Sequence, residues 1–311
     1  MRLDADQPER APMIRRLGVI GHPVAHSRSP AMQQAALDAL GIPARYELWD
    51  TPPDELPARV AALRGPDMLG ANVTIPYKAA VVPLLDAIAP QAQRAAGVVN
   101  TIVRDVTPLG VHLVGHNTDV AALVRILDES AVWSEQRRVV VLGAGGAAQA
   151  ALGASRQRGA EVWVAARRLE AAQAALIALW SREHEDEPGG GAHLPEAWRR
   201  RAVPLADHTR LAEALSGADV LLQATLVGMC NVGDGEGSPL PLELLDHLPA
   251  HAFVFDMVYA PPETALVRAA RSRGLRASGG LPMLLYQGAA AFTLWTRREA
   301  PLEVMRAALS L

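Results

Sequence analysis

Two residues could share one piece of chemistry. Lys78 closes the stretch Gly-Ala-Asn-Val-Thr-Ile-Pro-Tyr-Lys (residues 70–78), an apolar run broken by Asn72, Thr74 and Pro76. Asp119 ends Val-Gly-His-Asn-Thr-Asp (residues 114–119). A ketone that accepts hydride develops negative charge on its oxygen, and a positioned acid that protonates this oxygen speeds the step by roughly 10²–10⁴-fold. Lysine enters such a step as an ammonium, whose charge also stabilises the oxyanion before the proton moves. A neighbouring carboxylate would hold that ammonium in place. The bland alternative for Lys78 is an exposed lysine opening Tyr77–Ile88, a segment with helix-like spacing. Asn100, Thr101 and Asn117 are further polar groups at the ends of apolar runs. In open α/β sheets those ends border the ligand crevice, although each residue alone could be a turn or cap.

A hydride source is implied by Val-Val-Val-Leu followed by Gly143, Ala144, Gly145, Gly146, Ala147 and Ala148. This fits G-x-G-x-x-A at a strand-to-helix turn. Gly143 would permit the turn, Gly145 the approach of a pyrophosphate, and Ala148 close helix–sheet packing. The amides at the helix N-terminus would face the phosphates. At the end of the next strand, Glu161 to Ala165, an NAD site usually carries Asp or Glu; Ala166, Arg167 and Arg168 stand there instead. Two guanidiniums suit a 2′-phosphate, so NADP is the expected cofactor. The competing reading is a pair of arginines opening a helix on a wet surface, and Glu170 lies close by.

These residues need a scaffold, and its outline is readable. Apolar runs alternate with helical patterns: RLGVI, RYELW, LGANV, VVNTIV, RRVVVLG, AEVWVA, ADVLLQAT and AFVFDMVY. Such alternation predicts an α/β fold of βαβ units with parallel sheets covered by helices. Residues 120–135 read as a helix joining two halves, with the boundary near Asp119. The expected domains are a substrate-binding domain over 1–119, joined by C-terminal helices over 283–311, and a Rossmann-type dinucleotide-binding domain over 120–282, with a cleft between them. Half of the 311 residues are hydrophobic and the formal net charge is −3. That leaves no basic footprint for nucleic acid. Cys230 is the single cysteine, which excludes an intrachain disulfide and a cysteine-cluster zinc site, and no metal is expected. The opening residues lack the apolar core of a secretory signal, with Met1 and Met13 both possible starts. No stretch suits a membrane span. A cytoplasmic protein, monomer or homodimer, is expected. Residues 181–201 read as a surface excursion whose arginines at 199–201 are solvated.

In Val-Ala-His-Ser-Arg-Ser-Pro (residues 24–30), Ser29 is expected as the N-cap of a helix that has Pro30 as its first residue and ends before Gly41. Ser27 has no such structural role, and two hydroxyls beside a helix N-terminus could receive a carboxylate. With SRSP, NVTIPYK, VVNT, GHNTD, GAGGAA, DMVYAPPET and GGLPMLLYQGAAAF in this order, the chain resembles the shikimate dehydrogenases from Leu17 to its C-terminus. The resemblance implies NADPH-dependent, reversible reduction of 3-dehydroshikimate to shikimate, on the route to chorismate and the aromatic amino acids. It implies that Ser27 and Ser29 hold the substrate carboxylate, that Thr74, Asn100, Asp119 and Gln287 bind ring hydroxyls, and that Tyr259 lies against the substrate. Lys78 and Asp119 would be the catalytic pair, with Gly280 and Met283 near the nicotinamide. Three positions depart from the usual pattern: Ala166–Arg168 for Asn-Arg-Thr, Gln223 for Asn in QATLVGM, and Arg28, expected to face solvent. The alternatives are an NAD-dependent quinate/shikimate dehydrogenase and a non-enzymatic nucleotide-binding regulator.

Overall fold

The computed structural model describes residues 13–95, 97–184, 194–230 and 236–310. Both candidate start sites bear on residues before this range, and the middle of the 181–201 excursion (185–193) also lies outside the described residues. Its arginines are engaged locally: Arg200 pairs with Glu196 and Arg201 with Glu161.

The first sheet is built from β1 (Arg15–Gly21), β2 (Ala44–Asp50), β3 (Gly70–Val73), β4 (Ala87–Ile88), β5 (Thr101–Thr107) and β6 (Gly110–His116), in the order β2-β1-β3-β5-β6-β4. Here the expectation of parallel sheets fails: β5 runs antiparallel to both β3 and β6. The cause is local. Thr107 pairs with Gly110 across a two-residue turn, and a connection that short can only return the chain antiparallel. The helices of this part of the chain are α1 (Ser29–Ala39), α2 (Leu56–Ala62) and α3 (Pro90–Ala95), followed by the linking helix α4 (Thr118–Ser130). The linking helix therefore ends at Ser130, five residues short of the expected limit, and residues 77–88 hold turns and a short 3₁₀ segment (Val82–Leu84) rather than an α-helix. Pro83, which has no amide hydrogen to donate, sits in that segment.

The second sheet contains β7 (Arg138–Leu142), β8 (Glu161–Ala166), β9 (Ala202–Pro204), β10 (Val220–Gln223), β11 (Phe253–Asp256) and β12 (Arg276–Ser278). All its pairings are parallel, in the order β12-β11-β10-β7-β8-β9. Parallel strands covered on both faces read as continuous apolar runs, and Val139 to Leu142 are wholly buried. One face is covered by α4, α5 (Gly146–Gln157) and α6 (Leu169–Glu183). The other face packs against residues of α8 (His208–Ser216) and α9 (Ala265–Ser272), while the single turn α7 (Glu196–Arg199) precedes β9. The chain winds outward from β7 through β8 and β9, then returns to β10 on the other side. The end of β7 is thus the switch point where such sheets open a ligand crevice.

The final helices, α10 (Leu281–Thr296) and α11 (Leu302–Ala308), return to the first sheet. Leu285, Phe292, Trp295 and Met305 share a core with Leu17, Met32 and Leu37. Gly70, at φ +153°, admits the Trp295 indole, whose N–H donates to the Ile102 carbonyl at 2.9 Å. Among the described residues no helix is long and apolar enough to cross a membrane.

Candidate active site

Lys78 is placed by what precedes it. Tyr77 is buried and its hydroxyl donates to the Thr51 carbonyl at 2.6 Å, while the Tyr77 N–H closes a turn onto Thr74. The Lys78 carbonyl accepts from Val99, so Val98 to Asn100 bind this loop and β5 begins only at Thr101. The result is a lysine whose side chain is 14 % exposed, donating from Nζ to Asp119 Oδ2 at 2.5 Å. Asp119 is 4 % exposed and sits in the first turn of α4, where the helix N-terminus favours a carboxylate.

A buried chain of hydrogen bonds holds that helix end. Asn117 caps α4 by accepting from the Val120 N–H at 3.1 Å, and its amide donates to the Val98 carbonyl. The Asn100 Oδ1 accepts from the Thr118 N–H at 2.8 Å and its Nδ2 donates to Thr118 Oγ1 at 2.9 Å. Asn72 donates to the Asn100 carbonyl and to Thr101 Oγ1, and accepts from the Tyr46 hydroxyl at 2.7 Å. Burial pushes the Tyr46 phenol up, with the Ser29 hydroxyl beside it acting the other way. A fully satisfied network of this kind fixes one arrangement. Tyr46 and Thr118 are its unforeseen members. Thr118 could have been noticed beside Asp119, whereas nothing in the sequence near Tyr46 signals its role.

Ser29 is not the helix cap. Arg28 holds that position with a helical backbone (φ −86°, ψ −4°) and no side-chain capping bond, so Ser29 and Pro30 lie inside the first turn. Ser27 takes the local role instead, its Oγ accepting from the Ser29 N–H at 3.3 Å. Gly41 follows the helix at φ +61°, as its position after Leu40 leads one to expect. Arg28 does not face solvent: it is half-buried and donates from Nη2 to the Leu309 carbonyl at 2.7 Å. Thr74 is half-buried and nestles against Gly21, where a Cβ would stand 2.5 Å from the threonine methyl. Tyr259 follows β11 in the second sheet yet packs on the core of the first, and burial raises its phenol. The Gln287 amide donates to the Leu284 carbonyl of its own helix, and one turn of α1 beyond Ser29 the buried Gln33 donates to the neighbouring Gly288 carbonyl.

The glycine turn meets Lys78 directly. Gly143 adopts φ +117°, and a Cβ there would press 3.0 Å from the Ala224 carbonyl. Gly145 ends the turn with nothing within 4 Å of a built Cβ, which leaves a cradle open to the crevice. A Cβ on Gly146 would lie 3.5 Å from the Lys78 Cβ. Ala144 packs on the core of the second sheet, Ala147 is half-buried and Ala148 wholly buried. Gln223 keeps the adjoining loop in order: its Oε1 accepts from the Thr225 N–H at 2.6 Å and its Nε2 donates to the Val227 carbonyl at 3.0 Å. The longer amide therefore still offers a donor and an acceptor. Gly280 begins α10, where any side chain would collide with the Met257 carbonyl, and Met283 is buried in the core of the second sheet. Arg167 and Arg168 stand exposed beyond β8, with no ion pair or side-chain hydrogen bond among the described residues. The open cradle and the two uncommitted guanidiniums fit a dinucleotide with an added phosphate.

Comparisons with known proteins identify the family. Residues 19–102 match the family model described as the shikimate dehydrogenase substrate binding domain, and residues 280–309 match that of the shikimate 5′-dehydrogenase C-terminal domain. A shikimate dehydrogenase (NADP(+)) of Symbiobacterium thermophilum is 40 % identical over 94 % of this chain and 92 % of its own. The crystal structure of shikimate 5-dehydrogenase from Thermus thermophilus in complex with NADP(H) and shikimate has a TM-score of 0.77 at 37 % identity, covering 96 % of this chain and 99 % of that one. A quinate dehydrogenase from Corynebacterium glutamicum in complex with NAD reaches 0.79 at 31 % identity, covering 96 % and 99 %. The chain belongs to the shikimate dehydrogenase family.

Proposed function

We propose that this protein reduces 3-dehydroshikimate to shikimate with NADPH, reversibly, as a step toward chorismate and the aromatic amino acids. The observation that carries the reading is the Lys78–Asp119 pair at 2.5 Å, set against the glycine turn at Gly146. The lobe of the first sheet, with α10 and α11, takes the substrate; the lobe of the second sheet takes the cofactor. Ser27 and Ser29 receive the carboxylate at the start of α1. Thr74, Asn100, Asp119 and Gln287 face the ring hydroxyls, and Tyr259 lies over the ring. The amides from Gly143 to Ala148 hold the pyrophosphate, Arg167 and Arg168 the 2′-phosphate, and Gly280 and Met283 border the nicotinamide.

When bound, NADPH supplies hydride to the carbonyl carbon. The chain's own part is orientation and a proton. An ammonium has three N–H donors, and Asp119 engages Nζ in a hydrogen bond, leaving donors for the carbonyl oxygen. As charge gathers on that oxygen, Lys78 stabilises it and then releases a proton to it, while Asp119 keeps Nζ from turning away. In the reverse direction Lys78 takes the proton from the hydroxyl. The surroundings are mostly buried, so these charges act at lower dielectric than in water. A cytoplasmic location suits this reading, since the one cysteine, Cys230, is exposed and unpaired.

The NAD-dependent quinate reading is disfavoured by Arg167 and Arg168, which stand where an acidic residue would accept from the ribose hydroxyls. The decisive experiment crosses shikimate and quinate with NADP and NAD and follows nicotinamide absorbance with purified protein. Fast reduction of NADP by shikimate is expected. Absence of turnover with that pair would overturn the proposal, and faster turnover with quinate and NAD would replace it by the rival.

A further inference from the structure

Arg28 stands between the two serines in the α1 turn, its side chain is half-buried, and no carboxylate among the described residues pairs with it. Its recorded polar partner is neutral: Nη2 donates to the Leu309 carbonyl, at the C-terminal end of α11, where arginine commonly satisfies a helix's last carbonyls. A guanidinium carries five N–H donors in a rigid fork, so one bond to Leu309 leaves others unspent. The Arg28 charge also reaches across to Tyr259, where it opposes the rise of the phenol caused by burial. The guanidinium therefore lies within electrostatic range of the side chain proposed to cover the substrate ring.

We propose that Arg28 is a specificity-determining residue for carboxylate-bearing substrates: anchored on Leu309, it supplies beside the Ser27–Ser29 turn the positive field that favours an anion there. The inference rests on the function proposed above and adds a residue to its substrate site. Hydroxyls alone bind a carboxylate and a neutral ester with little distinction. A fixed guanidinium beside them does not, because only the carboxylate gains Coulomb energy from it. The preference should weaken as salt screens the charge.

The test compares the wild-type protein, Arg28→Leu and Arg28→Lys, with shikimate and its uncharged methyl ester as alternative substrates. Arg28→Leu should raise the KM for shikimate about tenfold, near the 1.4 kcal/mol that such a factor represents. The KM for the ester, the KM for NADP and kcat should stay within about twofold, a range in which ~0.4 kcal/mol is at stake. The KM for shikimate should climb with ionic strength in the wild type and in Arg28→Lys, and stay flat in Arg28→Leu. An equal rise for shikimate and ester would assign Arg28 to the fold alone and overturn the inference, as would an unchanged KM for shikimate. If the wild-type protein fails to oxidise shikimate at all, the functional reading falls and takes this inference with it.

Discussion

Removing Lys78 should damage rate and stability by separate routes, and a second substitution should part them. In Lys78→Ala the Asp119 carboxylate, 4 % exposed, loses its ammonium partner at 2.5 Å. Breaking a buried ion pair from one side costs roughly 3–5 kcal/mol, because the remaining charge stays buried without compensation. The first turn of α4 returns part of this, up to ~2 kcal/mol in favourable geometry, so a net loss of about 3 kcal/mol is expected. Turnover should fall by roughly 10²–10⁴-fold for want of the general acid. Lys78 is the chain's only lysine, so no neighbouring lysine can substitute. Adding Asp119→Asn removes the orphaned charge. The double variant should recover to within about 1 kcal/mol of the wild type, the scale of an ordinary hydrogen bond, and remain as slow as the single variant. Denaturant unfolding measures the first quantity, and stopped-flow nicotinamide absorbance at saturating substrate the second. If turnover recovers together with stability in the double variant, Lys78 is a structural counter-ion and the proton must come from elsewhere.

Gly145→Ala should leave the melting temperature unchanged or slightly higher, since the backbone there (φ −82°, ψ −169°) suits any residue and nothing lies within 4 Å of the new methyl. NADPH affinity, measured by fluorescence titration, should fall at least tenfold; normal binding would place the pyrophosphate elsewhere. Arg167→Gln with Arg168→Gln should raise the KM for NADPH about ten- to a hundredfold, the scale of one charge-assisted hydrogen bond, and alter that for NADH less than twofold. Equal effects on both cofactors would show that the arginines do not read the 2′-phosphate. Asp256 is buried beside the Val258 N–H and the Thr264 hydroxyl, and burial pushes its carboxyl up to about 6. The folded state thus holds a proton that the unfolded state releases near pH 4. Stability from this group is present at low pH and lost as pH rises through 6, by up to ~3 kcal/mol for a shift of about two units. Asp256→Asn should match the wild type near pH 4 and exceed it at pH 7.5 in urea melts; a constant difference across that range would show that Asp256 does not titrate in the folded protein.

Local chemistry explains which features were legible. The glycine turn could be read because one residue there needs a positive φ and another needs empty space, and both demands leave their mark on residue type. Strands β7, β8, β10 and β11 are unbroken apolar runs and were found on that account, while β4, β9 and β12 span two or three residues and carry no period. The N-cap of α1 lies one residue before the expected Ser29, on Arg28, a residue type that cap preference passes over in favour of a serine. The choice depends on Arg28 taking a helical backbone, and on the bond from Ser29 to Ser27. The outward reading of Arg28 failed for a different reason. Its partner, Leu309, lies 281 residues away, so no local pattern could announce it. The same holds for the bond from Tyr46 to Asn72, which forms only once β2 and β3 flank β1.

These long-range contacts share one consequence, which is that each lobe carries parts of the other. Tyr259 leaves the second sheet to pack on the core of the first. Met283, on a helix that otherwise covers the first sheet, is buried in the core of the second. Lys78 stands in the first lobe against Gly146 of the second, at ordinary van der Waals distance from a built Cβ. The phosphates proposed to rest on the glycine turn would therefore border the proton donor. The first lobe in turn reaches the far end of the chain through the bond from Arg28 to Leu309. Tyr259 of the second lobe is proposed to cover a ring held by the first, so substrate choice, like proton and hydride delivery, would draw on both lobes.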